Sequence, residues 1–446
     1  MPDQQTGRSG ALTSSGTPIG LVWLGAIAVA IVIAVALMYA PAVGGYFFND
    51  DFQWLESAYR FDSARFVHLE RYDHFYRPVI ETYFYLGYRL FGCDPRGFHL
   101  LSIGIHLLVV WLVYLLGRSL TRSRAFGALA AVFFAVLPGF ADAIAWISAI
   151  ADELPGLWYV LTLWLFLLYL RGRGLWCYLL ALVTCVSCLL THETSATLPV
   201  MMVALEVTVL WEQRRWPPAR DLARRAARYL PFALLTVAYL AIEYVVNSRS
   251  YVVNEGHYRL GWHAVPNTLD YIVWLYVGKR TLLSHIGIVS LGLALLIVGT
   301  PRVRFFVVWI VVNIAPVAFF TWGNAGRYLY LPAVGFVMLL ADAVLAGHAL
   351  LERRVSRRAA LAVTLAVVLG LSARFGTFTF KSAARFAERT QPYRAYVEEI
   401  RATRPNPKPF DTVEVSEATA RPIPALYREV AARAAFCMDN LSVTIR

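Results

Sequence analysis

Two adjacent aspartates, Asp50 and Asp51, are the residues whose types and spacing most directly suggest chemistry. They lie in the stretch YFFNDDFQWL (46–55), which follows a long apolar run without charged residues. Like charges side by side repel each other, so adjacent carboxylates usually have a structural or a chemical reason. The chemical reason would be a general base that takes a proton from a hydroxyl group. The structural alternative is a helix beginning at Asp51, with Asp50 as its cap and Gln53 completing a capping box.

Two arginines are candidates for binding a phosphate group. Arg77 lies in YRP and Arg327 in GRYLYLP, both in segments that we expect on the same side of a membrane as Asp50. The planar guanidinium group matches the geometry of phosphate oxygens and can bind two of them at once. The alternative, equally open from charge alone, is that each side chain extends to the phosphates of membrane lipids.

Further candidates are polar residues at the ends of apolar runs or within them. His192 and Glu193 end one run in THETSA, and Asp152 lies in the acidic segment GFADAIAWISAIADE. The simpler interpretation of His192 and Glu193 is a polar helix end that contacts lipid headgroups. His106 follows His99 by seven residues, which places both on one face of a helix. Two histidines so placed more often hydrogen-bond neighbouring helices than bind a metal.

The composition indicates a membrane protein with several membrane-spanning segments. Of the 446 residues, 58% are hydrophobic and 16% are charged. A typical soluble domain is about half apolar and about a quarter charged. The 13 tryptophans and 24 tyrosines suit a protein with two membrane–water interfaces. The net charge of +12 does not indicate nucleic-acid binding, because membrane topology accounts for where the arginines lie.

The apolar runs predict an all-α bundle of about 11 transmembrane helices. Two of the runs are short, which implies tilted helices or helices extended by polar residues. The runs lie near residues 20–41, 97–117, 125–138, 154–170, 175–190, 197–211, 229–247, 284–300, 305–320, 330–350 and 359–374.

The arginines predict the orientation of this bundle. Cytoplasmic segments carry an excess of Lys and Arg, and the arginines here concentrate in alternate loops. The N-terminus is therefore expected inside and the C-terminus outside. The arginines assigned to the inner side are Arg8, Arg118, Arg122, Arg124, Arg171, Arg173, Arg214, Arg215, Arg220, Arg224, Arg225, Arg228, Arg302, Arg304, Arg353, Arg354, Arg357 and Arg358.

This topology divides the chain into three expected parts. We expect a cytoplasmic tail over 1–19, a transmembrane catalytic domain over 20–374 and a small C-terminal segment outside the cytoplasm over 375–446. Within the last part, RPNPKPF separates a polar helix from an amphipathic segment, ALYREVAARAAF. The first outer loop spans 42–96.

The first outer loop is predicted to contain an amphipathic helix. Pro78 is suited to open a helix, and Ile80, Phe84 and Gly87 then fall on one face with Leu90 or Phe91. Such a helix would lie on the outer leaflet like a lid.

The five cysteines are too few and too scattered for a disulfide framework or a metal site. Cys185 and Cys188 form a CxxC inside an apolar run, where core packing is the better interpretation. Cys93 and Cys437 could form a disulfide if both face an oxidising compartment.

The outer side thus collects a carboxylate pair, a His-Glu pair, two arginines and a predicted lid. This set suits a reaction in which a hydroxyl is deprotonated while a lipid phosphate leaves. An aspartate would be the base, and an arginine would hold the developing phosphate charge. No P-loop or dinucleotide fingerprint occurs in the sequence, so nothing in it supports a soluble nucleotide donor.

Five motifs in order resemble those of the GT-C glycosyltransferases. They are FFNDDFQWL, YRPVIETYFYLGYRLFGCDPRGFHLLSIGIHLL, AWISAIADELPGLWYVLTLWLFLLYLR, THETSATLPV and GRYLYLPAVGF. They are most similar to the O-mannosyltransferases with transmembrane and tetratricopeptide repeats and to the bacterial relatives of these enzymes. The resemblance covers roughly residues 20–345.

The resemblance implies an inverting transfer of a sugar from a polyprenyl-phosphate donor to a protein, glycan or lipid acceptor. It implies that Asp50 is the general base, that Asp51 is its partner, and that Arg327 contacts the donor phosphate. Glu193 matches a family glutamate, and His192 replaces a family lysine. His192 is therefore expected to join Arg327 and Arg77 at the donor phosphate. The residues expected to support the site or to contact the acceptor are Glu193, Asp152 and His106. A bacterial inner membrane, with the active site outside the cytoplasm, is the expected location.

Two departures from the family pattern bear on the substrate rather than on the reaction class. Relatives often carry an arginine in the second outer loop where this chain has Ile150, and no tetratricopeptide repeats follow residue 374. A monophosphate donor requires no dedicated metal or other cofactor. A divalent ion would be expected only in the second-ranked alternative, a pyrophosphate-donor enzyme of the oligosaccharyltransferase type.

Two alternatives belong to other functional classes. A transporter or flippase of lipid-linked substrates would show inverted repeats and helices interrupted at mid-membrane, and the sequence has no convincing repeat. A scaffold without activity would need Asp50 and Asp51 only as helix caps, so asparagine at both positions would leave its function intact.

Overall fold

The computed structural model describes residues 20–72, 75–214, 216–276, 278–438 and 440–446. The predicted tail 1–19, with Arg8, and Arg215 therefore lie outside the described residues. The α-helices are α1 Leu21–Val43, α2 Asp50–Tyr59, α3 Pro78–Phe91, α4 Pro95–Thr121, α5 Arg124–Val136, α6 Ala141–Ala145, α7 Ile150–Leu170, α8 Leu175–Leu189, α9 Leu198–Gln213, α10 Ala219–Ala227, α11 Leu230–Asn247, α12 Tyr251–Asn254, α13 Ala264–Tyr276, α14 Leu282–Val298, α15 Pro301–Ile314, α16 Tyr330–Glu352, α17 Arg357–Thr403, α18 Glu417–Ala420 and α19 Ala425–Phe436. The strands are β1 Thr412–Val415 and β2 Ser442–Ile445.

The helical, multi-pass membrane architecture predicted from composition is confirmed. Among the described residues, 7 helices are long and apolar enough to cross a membrane, or 8 if α5 and the bent segment that follows it form one span. A helix forms at each of the apolar runs identified in the sequence. Five of these helices are short. Helices α5, with 13 residues, and α9, with 16, reach spanning length only together with the adjoining helical segments. The other three have 15 residues in α8, 17 in α14 and 14 in α15. The count of about 11 spans and the orientation therefore stay predictions.

Local sequence signals set the limits of the central helices. The side chain of Asp94 caps α4, which has Pro95 in its first turn, and the side chain of Ser123 caps α5. Gly127 allows α4 and α5 to approach closely. A Cβ atom at this position would lie only 2.7 Å from the backbone oxygen of Tyr114. This tight hairpin fixes the position of the helix that also carries His106.

The first outer loop contains the predicted helix, but its apolar face does not lie on a membrane. Helix α3 begins at Pro78, and Ile80 and Phe84 are buried. The ring of Phe84 stacks on Trp54 of α2, with centroids 5.5 Å apart. The prediction added Leu90 or Phe91 to this face. Leu90 is 72% exposed, whereas the ring of Phe91 lies against that of Phe98, with centroids 6.0 Å apart. The face is covered by protein because α2 offers its own aromatic side chains to it, so the lid over the leaflet is not what this helix forms.

The C-terminal part of the chain packs against the first outer loop. Helix α17 continues without a break from Arg357 to Thr403, so the predicted boundary at residues 374 and 375 lies inside one helix. Strands β1 and β2 form a two-stranded parallel sheet, which the all-α prediction missed. The predicted disulfide between Cys93 and Cys437 is present and joins the end of α3 to the end of α19.

Removal of this disulfide is expected to loosen the C-terminal segment. A native disulfide contributes typically about 2–4 kcal/mol, and this one joins parts of the chain separated by 344 residues. The variant C93A/C437A should therefore show a lower melting temperature and faster proteolysis after residue 403. Reductant should destabilise the wild type to the same extent and leave the double variant unchanged. If reductant left the melting temperature and proteolysis of the wild type unchanged, the expectation would be contradicted.

Candidate active site

The YFFNDDFQWL stretch forms the start of α2, with Asp50 as the first helical residue. The predicted capping box is wrong, because Asn49 precedes the helix and no side-chain cap bond forms. Asn49 has a φ of 46°, a left-handed conformation that costs energy for a residue other than glycine. Two tyrosines from the C-terminal part stabilise this backbone. The hydroxyl of Tyr393 donates to Asn49, and the hydroxyl of Tyr427 donates to Asp50.

Asp51 is enclosed by hydrogen-bond donors. Its side chain is 1% exposed, and its Oδ2 accepts from the backbone N–H of Phe48 at 2.8 Å. Its Oδ1 accepts from both the backbone N–H of Ser148, at 2.7 Å, and the Ser148 hydroxyl. Burial raises the pKa of Asp51 to about 7, against the opposing effect of these bonds. Asp51 thus ties the start of α2 to the loop before α7.

Asp50 is placed differently from its neighbour. It is partly exposed, and its Oδ1 accepts from the Tyr427 hydroxyl at 2.5 Å. Its charge acts on Arg327, on Tyr251 and on Tyr427 itself. Asp50 therefore lies within electrostatic range of the predicted phosphate-binding arginine, whereas Asp51 is hydrogen-bonded to the backbone.

Arg327 lies at the centre of a group of aromatic and acidic side chains. Its Nε pairs with Asp152 at 3.2 Å, and its Nη2 donates to the hydroxyl of Tyr328 at 2.9 Å. The guanidinium also lies 5.0 Å from the ring centroid of Trp146. These contacts fix the side chain. Because it is 27% exposed, it still reaches the surface of the site. A held, partly exposed guanidinium group is suited to bind an anion.

Arg77 is paired more completely than Arg327. Its Nε and Nη2 donate to the two carboxylate oxygens of Glu193, at 3.2 and 2.8 Å. Its guanidinium lies 4.1 Å from the ring centroid of Phe75. The charges of Arg77, Glu193 and Arg327 all act on Asp152, so the predicted residues form one electrostatic cluster.

His192 occupies the edge of this cluster. It is 4% exposed, and its Nδ1 accepts from the backbone N–H of Thr194 at 3.2 Å. A nitrogen that accepts a hydrogen bond carries no proton, which makes this histidine neutral. Nε2 then carries the proton and can act as a donor, but His192 adds no positive charge to the site.

His106 lies one layer behind the cluster. It is fully buried on α4, and its Nδ1 is 3.0 Å from the hydroxyl of Tyr330. The ring packs against aromatic side chains, as expected for a histidine that hydrogen-bonds a neighbouring helix. His99, by contrast, forms no side-chain hydrogen bond with any other described residue.

A pocket opens beside Arg327. It joins α7, α15 and the start of α16, and it is lined by Asp152, Thr194, Asn313, Val317, Arg327, Tyr328, Tyr330 and Leu331. Asn313 was not predicted as a site residue, although a lone asparagine in the apolar run VVWIVVNIA is a visible signal. Tyr427 and Ser148 were also missed, and no local pattern marks them. Among the described ranges, no group of three or more His, Cys, Asp or Glu side chains could hold a metal ion.

Comparison with known proteins finds similarity to part of the sequence and to the fold. No family model matches the chain. A segment of 122 residues is 30% identical to the protein O-mannosyl-transferase Tmtc1 of Drosophila melanogaster and covers 27% of this chain and 14% of that protein. A segment of 109 residues is 31% identical to tmtc2 of Xenopus laevis and covers 24% and 13% of the two proteins. The chain is homologous to these enzymes over about a quarter of its length.

Solved structures match nearly the whole chain. ArnT from Cupriavidus metallidurans bound to undecaprenyl phosphate has a TM-score of 0.53 at 15% identity, over 95% of this chain and 86% of that one. The chain has the GT-C glycosyltransferase fold. An oligosaccharyltransferase from Archaeoglobus fulgidus, tethered to an acceptor peptide, shares this GT-C fold with a TM-score of 0.56 at 13% identity, over 95% and 64% of the two chains.

Proposed function

We propose that this protein is an inverting glycosyltransferase that moves a sugar from a polyprenyl-phosphate donor to an acceptor hydroxyl. The observation that carries the proposal is the arrangement of Asp50, a partly exposed carboxylate, and Arg327, a guanidinium group that reaches the surface of the same site. A base and an anion binder in electrostatic contact are the two groups that such a transfer requires. The GT-C fold and a structural neighbour bound to undecaprenyl phosphate support the donor class.

The proposed reaction is a single displacement. Asp50 takes the proton of the acceptor hydroxyl while the hydroxyl oxygen attacks the anomeric carbon of the sugar. The bond between the anomeric carbon and the phosphate oxygen breaks, and polyprenyl phosphate leaves with that electron pair. Arg327 stabilises the charge that develops on the leaving phosphate. Inversion follows because the acceptor attacks from the face opposite the phosphate.

The two arginines are assigned different roles because their pairing differs. Glu193 engages two nitrogens of Arg77 and neutralises most of its charge toward a ligand. Asp152 contacts Arg327 through Nε. Arg327 is therefore the proposed phosphate ligand, whereas Arg77 and Glu193 shape the site around it, and His192 adds a neutral donor.

The donor and the acceptor are proposed at the end of the bundle that carries Asp50. In this proposal residues 20–374 form the catalytic membrane domain, and residues 375–446 complete the site from outside the cytoplasm through Tyr427. The acceptor is a protein, a glycan or a lipid. Arg327 supplies the positive charge proposed to stabilise a monophosphate leaving group, so the proposed mechanism includes no metal ion.

Release of polyprenyl phosphate tests this proposal. The purified protein in nanodiscs would be given radiolabelled polyprenyl-phosphate sugars together with a panel of peptide, glycan and lipid acceptors. A glycosyltransferase should release polyprenyl phosphate and label one acceptor in equal amounts. A flippase should instead move the intact donor between leaflets of a liposome without releasing phosphate, and that result would overturn the proposal.

The hydroxyl of Tyr427 is expected to position Asp50. Burial and the neighbouring Asp50 carboxylate raise the pKa of Tyr427, so its hydroxyl stays a donor at all working pH values. Y427F should lower kcat about tenfold and leave the donor KM unchanged, since one hydrogen bond to a charged group is lost. Y396F is the matched control, because Tyr396 donates to the backbone oxygen of Arg428 within the same segment. Equal losses in both variants would point to general loosening of the segment.

A further inference from the structure

A second pocket lies at the end of the bundle opposite Asp50. Helices α4 and α7 begin near the candidate active site and end at this pocket, and α15 begins here. The pocket has a volume of about 240 Å³. It is lined by Leu120, Thr121, Arg122, Arg171, Val209, Glu212, Gln213 and Arg302.

Three guanidinium groups from three different helix ends meet in this pocket. Arg122 follows α4 with a left-handed φ of 57° and forms no side-chain hydrogen bond or ion pair with any other described residue. Arg171 follows α7 and donates one long bond, of 3.4 Å, to the backbone oxygen of Leu120. Its Nε is buried without a hydrogen-bond partner among the described residues.

The pocket carries more positive than negative charge. Burial and the charge of Arg122 lower the pKa of Arg171, and Glu212 opposes this effect. Arg302 pairs with Asp342 at 3.1 Å, so its charge is largely compensated. Glu212 is the carboxylate shared by Arg302, Arg171 and Arg122. Two like charges so close together are stabilised when an anion binds between them.

The positive-inside rule alone does not account for this arrangement. Arginines that serve only to orient a membrane protein extend into water, as exposed Arg353 and Arg354 do at the end of α16. A buried, unpartnered nitrogen such as Nε of Arg171 instead destabilises the folded protein. A ligand with oxygen acceptors would remove that destabilisation.

We propose that this pocket binds the phosphate group of an anionic ligand. The ligand class is a phosphate monoester or diester, and its bidentate contacts would be made by Arg122 and Arg171. Helix α9 contributes Val209, Glu212 and Gln213 to the pocket and exposes the apolar side chains Trp211 and Val207 on its other side. An apolar exposed side is suited to contact lipid, which favours the headgroup of an anionic phospholipid in the adjoining leaflet as the ligand. A soluble phosphate compound presents the same chemistry. The site is independent of the proposed transferase reaction.

The test compares binding of three probes to the purified protein in neutral detergent. The probes are dioctanoyl phosphatidylglycerol, dioctanoyl phosphatidylcholine and inorganic phosphate. Binding is measured by native mass spectrometry and by the change in melting temperature. Phosphatidylglycerol should bind with one-site stoichiometry and raise the melting temperature, and phosphatidylcholine should do neither. Inorganic phosphate binding as tightly as the lipid would keep the site and assign it to soluble phosphate compounds.

The variant R122N/R171Q should lose at least about tenfold in affinity, which corresponds to about 1.4 kcal/mol. Asparagine tolerates the left-handed backbone at position 122, so the helix hairpin should survive. R122N alone should also weaken binding. Because the Arg122 side chain forms no hydrogen bond or ion pair with another described residue, this single substitution breaks no such bond in the folded protein. R353Q/R354Q is the matched control with the same change of charge. Unchanged binding in R122N/R171Q, an equal loss in the control, or no binding of phosphatidylglycerol and phosphate to the wild type would each overturn the proposal.

Discussion

Asp50→Asn is expected to lower the rate of polyprenyl phosphate release at least about a hundredfold without unfolding the protein, because a general base contributes that much or more. Asparagine has nearly the shape of aspartate, and its Oδ1 can still accept the hydrogen bond from Tyr427. It cannot take a proton from an acceptor hydroxyl. The loss should therefore appear in kcat, with the melting temperature close to that of the wild type.

Asp51→Asn should show the opposite pattern. Asp51 accepts from Phe48 and from two donors of Ser148, and an amide would turn an N–H group toward one of these donors. An unsatisfied buried pair costs about 1–3 kcal/mol, so the melting temperature should fall. The protein that remains folded should keep most of its rate per molecule.

Measuring release and melting temperature for both variants separates the two roles. Asp62→Asn is the matched control, because Asp62 lies in the same loop and pairs with Arg71 at the surface. The control should behave as the wild type in both measurements. A rate loss confined to Asp51→Asn, with full activity in Asp50→Asn, would move the base to Asp51. Full activity in all three variants would reject a carboxylate base in this pair.

The helices were predictable because their signals are local. These signals depend only on neighbouring residues. They are the apolar runs, Pro78 at the start of α3, and the interruption of helical sequence before ALYREVAARAAF. The limits of the C-terminal part were not predictable in the same way. Helix α17 extends past the apolar run because its later residues pack on the first loop, where Tyr393 and Thr390 contact Asn49 and Tyr46.

The sequence allowed us to predict which residues belong to the candidate site, but not which of them pair with each other. Alternation of the loops predicts that Asp50, Arg77 and Arg327 lie on one side of a membrane, whatever their partners are. Which carboxylate neutralises which arginine depends on contacts across more than a hundred residues, such as Arg77 with Glu193. The capping-box prediction failed for the same reason, since Tyr427 engages Asp50 from 377 residues away.

Distance along the chain also explains why Asp50 and Asp51 could not be distinguished from the sequence. Both are acidic, adjacent and at the start of one helix, so local rules treat them alike. The folded chain separates them because successive positions of a helix point in different directions. One carboxylate meets the backbone of the 147–149 turn, and the other meets a tyrosine and the field of Arg327.

The second large effect is expected at Arg327. Arg327→Gln removes the charge proposed to stabilise the leaving phosphate, and loss of one such group costs about 2.7–4 kcal/mol, or about a hundredfold or more in kcat. Arg327→Lys should recover part of the rate, because lysine keeps the charge but loses the bidentate fork. The same release assay measures both variants.

A loss of activity in Arg327→Gln has a second possible cause, which a double variant separates. Asp152 pairs with Arg327 at 3.2 Å and is 10% exposed, so removing the arginine leaves a nearly buried carboxylate without its partner. Loss of one partner of a buried ion pair destabilises a protein by about 3–5 kcal/mol. In D152N/R327Q that carboxylate is gone, so the stability should return. If Arg327 acts on the phosphate, the rate stays low in the double variant. If the rate returns together with the stability, Arg327 serves only to neutralise Asp152, and the proposed phosphate site must be sought elsewhere in the pocket.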